Sequence, residues 1–185
     1  MKGSIRIYLG CMYSGKTSEI IREYYRQISI ERNVLCINYK NDTRYGLDDF
    51  LYSHNLTKIP CIKVSTLAEI DDESIKAVDC VLINEGQFFG DLVEYVKKWC
   101  DDYGKDIIVS GLDGDYKRAK FGSILDLIPL SDSIEKIPAL CIICKNGTPA
   151  IFTHRISNES EQIVIGTTNY IPVCRTHYLA FSKDK

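Results

Sequence analysis

The sequence lacks the excess of positive charge that is typical of proteins that bind nucleic acid or anionic membranes. Its 23 Lys and Arg residues are balanced by 25 Asp and Glu residues, for a formal net charge of -2. It also lacks an apolar run long enough to span a bilayer, and its first residues lead into a strand pattern without a signal peptide. We therefore expect a soluble, cytoplasmic protein without nucleic-acid or membrane partners.

The sequence also lacks internal repeats and low-complexity segments. Its 185 residues, of which 45% are hydrophobic and 26% charged, suit one domain with a small appendage. Apolar runs that alternate with helical patterns predict an α/β domain over residues 1–133, built on a parallel sheet flanked by helices. Shorter β-like pieces predict a second, smaller unit over residues 134–185, which is small enough to need a metal to fold.

The predicted elements of the larger domain follow this alternation. Residues 40–54 are polar and predict a long surface loop, whereas residues 66–75 predict one short helix. Pro60 lies in an apolar run over residues 59–64, which predicts a single strand at the sheet edge. The other predicted elements are strands at 5–9, 33–39, 77–83 and 106–112 and helices at 16–28 and 91–102.

A glycine-bounded turn after the first strand carries the clearest chemical pattern. Gly10-Cys11-Met12-Tyr13-Ser14-Gly15-Lys16-Thr17 matches G-x-x-x-x-G-K-[ST] at every fixed position, between a strand and a helix. In such a loop the backbone N–H groups and the helix dipole bind phosphate oxygens. Lys16 would contact the β- and γ-phosphates and the Thr17 hydroxyl would bind Mg²⁺, so we predict that this loop and Ser18 bind ATP. The weaker alternative is a strand-to-helix turn that binds nothing.

Seven of the eight cysteines fall into two groups. Those in or beside apolar segments are best explained as small core residues with free thiols, in a reducing compartment: Cys36, Cys61, Cys80 and Cys100. Cys141-Ile142-Ile143-Cys144 and Cys174-Arg175-Thr176-His177 are two pairs, each with a two-residue spacer, separated by 29 residues. Three thiolates and one imidazole are typical of a closed tetrahedral zinc site, so we predict a structural Zn²⁺ here, against the alternative of unligated pairs.

Further segments give the chain a family resemblance that covers almost its whole length. They are Asp42-Thr43-Arg44-Tyr45, Glu85-Gly86-Gln87-Phe88-Phe89, Leu112-Asp113-Gly114, Leu127-Ile128-Pro129-Leu130 and Thr153-His154-Arg155, besides the phosphate loop, Tyr170 and the two ligand pairs. With them the chain resembles the zinc-containing (type II) thymidine kinases of animals, many bacteria and poxviruses. The resemblance implies ATP-dependent phosphorylation of the 5′-hydroxyl of thymidine, and of deoxyuridine, with Mg²⁺ as cofactor. It also implies a RecA-like domain, a zinc-ribbon domain with a lasso loop, a homotetramer, and dTTP as feedback inhibitor.

The resemblance also implies roles for particular residues. Glu85 resembles the general base on the 5′-hydroxyl, and its place just past a buried strand agrees, because ligands of such sheets bind beyond the carboxyl ends of the strands. Its alternative role is a helix N-terminal acid or a salt-bridge partner. The residues that resemble those around thymidine are Met12, Phe88, Leu112, Tyr116, Phe121 and Thr153, with Val164, Ile165, Gly166 and Tyr170 in the lasso loop.

Two positions depart from the family pattern. Asn84 stands where aspartate usually precedes Glu85; it keeps a carbonyl oxygen but loses the charge, so we expect Thr17 to bind Mg²⁺ with only a weak contribution from Asn84. Cys11 stands where proline is common. A thiol at a helix N-terminus beside Lys16 predicts a lowered pKa and oxidative inhibition against which ATP protects.

Two hypotheses of other classes follow from the same residues. Asn84 favours a nucleotide-binding regulatory protein with impaired catalysis, but the retention of Lys16, Thr17 and Glu85 argues against it. A zinc ribbon that binds nucleic acid would need a basic face with interleaved aromatic residues. The segment between the ligand pairs carries few basic residues, so the kinase remains the preferred interpretation.

Overall fold

The computed structural model describes residues 2–42, 48–157, 159, 161–162 and 169–183. The strands are β1 (Ser4–Leu9), β2 (Val34–Tyr39), β3 (Phe50–Tyr52), β4 (Lys58–Pro60), β5 (Ile62–Val64), β6 (Cys80–Ile83), β7 (Asp106–Gly111), β8 (Ser133–Lys136), β9 (Ala139–Leu140), β10 (Pro149–Ala150), β11 (Phe152–Arg155) and β12 (Tyr170–Val173). The α-helices are α1 (Lys16–Ile28), α2 (Asp72–Lys76), α3 (Leu92–Lys97) and α4 (Arg175–Lys183). Short 3₁₀ helices cover Leu67–Glu69, Gly86–Phe88 and Ile124–Leu130, and a π-helical turn covers Lys98–Asp102. None of the described helices is both long and apolar enough to cross a membrane.

Six parallel strands form the central sheet, in the order β5-β2-β6-β7-β1-β8. Because all six run the same way, the loops after β1, β2, β6 and β7 leave the sheet at one edge. The predicted α/β class, a RecA-like parallel sheet flanked by helices, is therefore confirmed. The predicted helix over residues 16–28 is α1, with the same bounds.

Both faces of the sheet are buried, and alternate residues along each strand point to opposite faces. Ile7 and Ile83 pack with α3 and the π-helical turn, whose Trp99 is fully buried. Tyr8 and Leu82 pack on the other face against Ile20 and Ile21 of α1. Burial on both faces explains why these strands are continuous apolar runs in the sequence.

Three predicted elements of the larger domain are wrong. The surface loop over residues 40–54 contains β3, which pairs with β4 in a separate antiparallel pair. The single strand over residues 59–64 is divided into β4 and β5, because the backbone N–H of Cys61 donates to the Asp49 carbonyl rather than to the sheet. The single helix over residues 66–75 is two, because the Asp71 side chain accepts from the Ser74 N–H and starts α2 as a new helix.

The segment after the sheet forms two small antiparallel pairs, β9 with β10 and β11 with β12, followed by α4. Their buried side chains form a separate core around Ala139, Ala150, Val173 and Tyr178. The predicted division after residue 133 falls within β8, which pairs with β1 as the last strand of the central sheet. The small pairs therefore begin only after β8.

Candidate active site

A cavity of about 280 Å³ opens at the edge where the parallel strands end. Its lining combines the loop after β1, the residues after β6, the turn after β7 and part of the small antiparallel pairs. Of the residues predicted to bind ligands, those that line it are Met12, Tyr13, Gly15, Lys16, Thr17, Ser18, Asn84, Glu85, Phe88, Leu112, Tyr116, Phe121, Thr153 and Tyr170. Val164, Ile165 and Gly166 lie outside the described residues.

The loop over residues 10–17 has the tight geometry that its glycines predict. A Cβ at Gly10 would lie 2.3 Å from the Ile137 carbonyl oxygen, and Gly15 has a left-handed φ of 88° at the start of α1. The Lys16 ammonium group donates to the Cys11 carbonyl oxygen at 2.8 Å and lies 3.4 Å from Ser14 Oγ. Gly10, Cys11 and Ser14 belong to the loop but are not among the lining residues of the cavity.

Asn84 is buried beside this loop, at the end of β6. Its Oδ1 accepts from Ser110 Oγ at 3.0 Å and from Thr17 Oγ1 at 3.4 Å, while its Nδ2 donates to Asn38 Oδ1 at 3.0 Å. Asn38 Nδ2 in turn donates to Asp42 Oδ2 at 3.3 Å. This chain of hydrogen bonds fixes the orientation of the Asn84 amide, with its oxygen toward Thr17 and the phosphate loop.

Glu85 follows Asn84 in a left-handed conformation, with φ 55° and ψ 43°, which is uncommon for a residue other than glycine. Its side chain is 8% exposed, lines the cavity and accepts a hydrogen bond from Gln87 Nε2 at 2.6 Å. Gln87 Oε1 accepts from the Leu112 N–H at 3.0 Å, so β6 and β7 both contribute to the carboxylate's position. Gly122 leaves room for this turn, since a Cβ there would lie 2.0 Å from the Gln87 carbonyl oxygen.

Aromatic rings form the side of the cavity away from the phosphate loop. Phe88 stacks on Tyr39 with ring centroids 5.0 Å apart, and Phe121 meets Phe88 edge-on at 5.5 Å. Phe89, in contrast, is fully buried in the sheet core. Thr153 Oγ1 accepts from the Met12 N–H at 3.0 Å, so the small antiparallel pairs contact the phosphate loop directly. The cavity therefore has a loop with N–H groups at one end and an apolar slot at the other.

The sequence-based prediction gave no binding role to several residues that line the cavity: Tyr39, Asn41, Asp42, Tyr52, His54, Gly114, Asp115 and Gln162. Tyr39 ends β2 at the same sheet edge as Glu85, so its place at the end of a predicted strand could have indicated that it lines the cavity. Tyr52 and His54 had no such signal, because both lie in the segment 40–54, which was predicted as a surface loop but contains β3. His54 meets Tyr13 edge-on, with centroids 6.0 Å apart.

The four predicted metal ligands lie together at the small antiparallel pairs, and their ligand atoms all lie within 4.8 Å of one another. His177 Nδ1 lies 3.3 Å from Cys174 Sγ, 3.4 Å from Cys144 Sγ and 3.6 Å from Cys141 Sγ. Burial raises the pKa of Cys141, but the backbone N–H groups of Cys174, Cys144 and Ile143 outweigh it and lower that pKa to about 6. The cluster can therefore hold a metal ion with thiolate ligands.

The predicted low pKa of Cys11 is wrong. Its side chain is 2% exposed, and its thiol donates to the Ala150 carbonyl oxygen at 3.4 Å. Burial raises the pKa of Cys11 above its ordinary value, and the nearby charge of Lys16 only partly offsets this effect. The oxidative inhibition that was predicted from a reactive Cys11 thiolate therefore loses its physical basis.

Comparison with known proteins identifies close relatives along nearly the whole chain. The family model described as thymidine kinase matches residues 3–178. A thymidine kinase from Oryza sativa subsp. japonica is 43% identical over 183 residues, which cover 96% of this chain and 66% of the relative. One from Yaba monkey tumor virus is 42% identical over 177 residues, covering 95% of this chain and 94% of the relative. One from Vaccinia virus (strain Western Reserve) is 36% identical over 178 residues, covering 96% and 97%.

Proposed function

The chain belongs to the thymidine kinase family, and from this premise we propose that it transfers the γ-phosphate of ATP to the 5′-hydroxyl of thymidine, and of deoxyuridine. The family match confirms the predicted family and the predicted class of enzyme. It gives no support to the alternative of a regulatory protein with impaired catalysis. The observation that carries the proposed reaction is that one cavity contains the phosphate loop, Glu85 and an aromatic slot.

The donor half of the proposed site is the phosphate loop. Its N–H groups and the start of α1 would bind the ATP phosphates, and Lys16 would move from the Cys11 carbonyl to the β- and γ-phosphates. Mg²⁺ would be bound by the Thr17 hydroxyl and the phosphate oxygens, as this cation prefers oxygen ligands. Asn84 Oδ1, 3.4 Å from Thr17 Oγ1, supports a weaker neutral contribution to the same ion.

Glu85 is proposed as the general base that accepts the proton of the attacking hydroxyl. Its carboxylate lines the same cavity as the loop and the aromatic slot, and the hydrogen bond from Gln87 fixes one oxygen. An oriented carboxylate at this point would align the hydroxyl with the γ-phosphate. The left-handed backbone of Glu85 agrees with a functional constraint, because such strained conformations concentrate at active sites.

The acceptor half is the aromatic slot. Phe88 offers a ring face for the thymine base, and Met12, Leu112, Tyr116 and Phe121 would enclose it. Thr153 and Tyr170 bring the small antiparallel pairs to the same end of the cavity. Val164, Ile165 and Gly166, which lie outside the described residues, are proposed from the family resemblance to complete this half as the lasso loop.

We also propose that Cys141, Cys144, Cys174 and His177 bind a structural Zn²⁺. Tetrahedral zinc with ordinary bond lengths would place its sulfur ligands roughly 3.8 Å apart and sulfur and nitrogen roughly 3.6 Å apart. The Cys144 and Cys174 sulfur atoms are 3.8 Å apart, and the sulfur–nitrogen distances are 3.3, 3.4 and 3.6 Å, so the residues fit this ion. The family resemblance further suggests a homotetramer, feedback inhibition by dTTP and a cytoplasmic location.

The test is a panel of nucleosides with ATP and Mg²⁺, run on the wild type and on Glu85→Gln. The wild type should phosphorylate thymidine and deoxyuridine. Glu85→Gln should lower kcat for thymidine by about 100- to 10,000-fold, the range that a positioned general base contributes, with a small change in KM.

The matched control is Glu73→Gln, which makes the same change at an exposed residue that pairs with Lys76. It should leave kcat unchanged. Thymidine phosphorylation that survives Glu85→Gln intact would refute the assigned base, and a wild type that phosphorylates no pyrimidine deoxynucleoside would refute the proposed activity.

A further inference from the structure

Arg155 is a fully buried arginine at the end of β11. Its side chain is 1% exposed, although a charged group is costly to bury unless it is thoroughly hydrogen-bonded. Arg155 is not among the residues that line the cavity in the described part of the chain. The phosphoryl transfer proposed above gives it no role, so its burial needs a separate explanation.

The guanidinium group of Arg155 organises the chain that follows β11. Its Nη1 donates to the carbonyl oxygens of Glu159 at 3.0 Å and of Glu161, and its Nη2 donates to the Gln162 carbonyl at 3.1 Å. Nη2 also donates to Tyr170 Oη at 2.6 Å. These bonds join three backbone carbonyls of one segment to the first residue of β12.

The same group lies over the Tyr116 ring and close to the Tyr170 ring, two aromatic side chains of the cavity. The Arg155 guanidinium carbon lies 3.7 Å from the centroid of the Tyr116 ring and 5.1 Å from that of Tyr170. Tyr116, Tyr170 and Gln162 all line the cavity, and Gln162 Nε2 donates across it to Asp115 Oδ2 at 2.8 Å. Arg155 thus contacts three lining residues, all on the nucleoside side.

We propose that Arg155 is a positioning residue that sets the shape of the nucleoside pocket through Tyr116, Tyr170 and Gln162. This inference rests on the proposed function, since it names what determines nucleoside affinity at that site. The planar fork of an arginine is required because it serves four acceptors in different directions and presents a flat face to the Tyr116 ring. A lysine has the charge but neither the fork nor the face.

The test is Arg155→Lys, assayed by varying thymidine and ATP separately. The KM for thymidine should rise by about 5- to 20-fold, as expected when several acceptors around a buried guanidinium lose their donors, while the KM for ATP stays within about twofold. Equilibrium binding of thymidine alone should weaken by the same factor. A role limited to overall stability would not separate the two substrates.

The matched control is Arg32→Lys. Arg32 is half-buried and donates to Gln27, to the Asp79 carbonyl and to Asp106, none of which lines the cavity. It should lower the melting temperature and leave both KM values unchanged. A thymidine KM that does not change in Arg155→Lys, or that rises equally in Arg32→Lys, would overturn the inference.

Tyr170→Phe provides a second variant in case Arg155→Lys does not fold. It keeps the ring and removes only the hydroxyl that accepts from Arg155, so it should raise the thymidine KM by a smaller factor. In the double variant the rise in the thymidine KM should be smaller than the product of the two single rises, because both changes remove one shared contact. Unchanged thymidine binding in Tyr170→Phe would count against the inference, whereas loss of phosphorylation in the wild type would instead refute the proposed function.

Discussion

The two ends of the cavity are supported in different ways. The phosphate loop and Glu85 follow β1 and β6, which are buried on both faces by a large apolar core. Thr153 and Tyr170 belong to β11 and β12, whose core is a smaller cluster that includes Tyr178 and the cysteines Cys141 and Cys174. Hydrophobic burial can therefore stabilise the proposed donor end, whereas the proposed nucleoside end depends more on polar contacts and on the proposed metal.

The two regions are nevertheless joined at the phosphate loop. Cys11 belongs to the loop, but it packs in the small core with Ala139, Ala150 and Val173. The neighbouring Met12 N–H donates to Thr153. We therefore expect that destabilising the small antiparallel pairs also perturbs the phosphate loop, while the central sheet remains folded.

Removal of the proposed zinc should have the largest effect. We expect a strong chelator, or Cys144→Ser, to abolish binding of one equivalent of zinc and to lower thymidine phosphorylation by about 100-fold or more, because a closed structural site contributes folding free energy directly. Far-UV circular dichroism should change little, since the parallel sheet has its own core. The three expected results are checked on one sample by its zinc content, its thymidine kinase activity and its far-UV circular dichroism spectrum.

Cys100→Ser is the control for this change, because Cys100 is buried against the central sheet, away from the cluster. It should keep the zinc and the activity and lower only the melting temperature. A Cys144→Ser protein that retains both its zinc and its activity would contradict the assignment of a structural metal, and collapse of the whole circular dichroism signal would contradict the separate support of the two regions.

The geometry of the phosphate loop could be predicted from the sequence because it is determined locally. Gly10, Lys16 and Thr17 lie within eight consecutive residues, between a buried strand and α1. The spacing of the cysteine pairs was similarly informative, because two short turns each present two ligands to one point.

The nucleoside end was less predictable because it is assembled from distant segments. Gln162 reaches Asp115, and Arg155 reaches Tyr116, across contacts that no local pattern reveals. The β3–β4 pair was missed because β3 is a three-residue strand inside an otherwise polar segment, where local propensity gives a weak signal. Tertiary contacts, rather than composition, bring His54 to the cavity.

Asn84→Asp should have an intermediate effect, which concerns the binding of Mg²⁺ at the proposed donor end. A carboxylate in place of this amide adds a charge beside Thr17, so the Mg²⁺ concentration needed for half-maximal activity should fall by roughly three- to tenfold. The new carboxylate could no longer donate to Asn38, and the Asn38 amide would have to turn and lose its donation to Asp42. We therefore also expect a loss of about 1 kcal/mol in the free energy of unfolding.

Asn41→Asp is the control for this titration. It introduces the same charge at an exposed residue that lines the cavity, but Asn41 does not belong to the chain of hydrogen bonds that leads to Thr17. Its Mg²⁺ dependence should remain close to that of the wild type. Superimposable Mg²⁺ titrations of the wild type and Asn84→Asp would show that Mg²⁺ binding does not depend on residue 84.

The labelling of Cys11 distinguishes the two regions without any change of sequence. In the zinc-loaded protein Cys11 should react slowly with a maleimide, because burial raises its pKa and leaves little thiolate near neutral pH. After chelation the small core should loosen and labelling of Cys11 should accelerate by at least about tenfold, while Cys80 in the central sheet stays protected. Peptide mapping by mass spectrometry measures both rates. Rapid labelling of Cys11 before chelation would contradict its burial, and equal rates before and after would show that the phosphate loop does not depend on the small core.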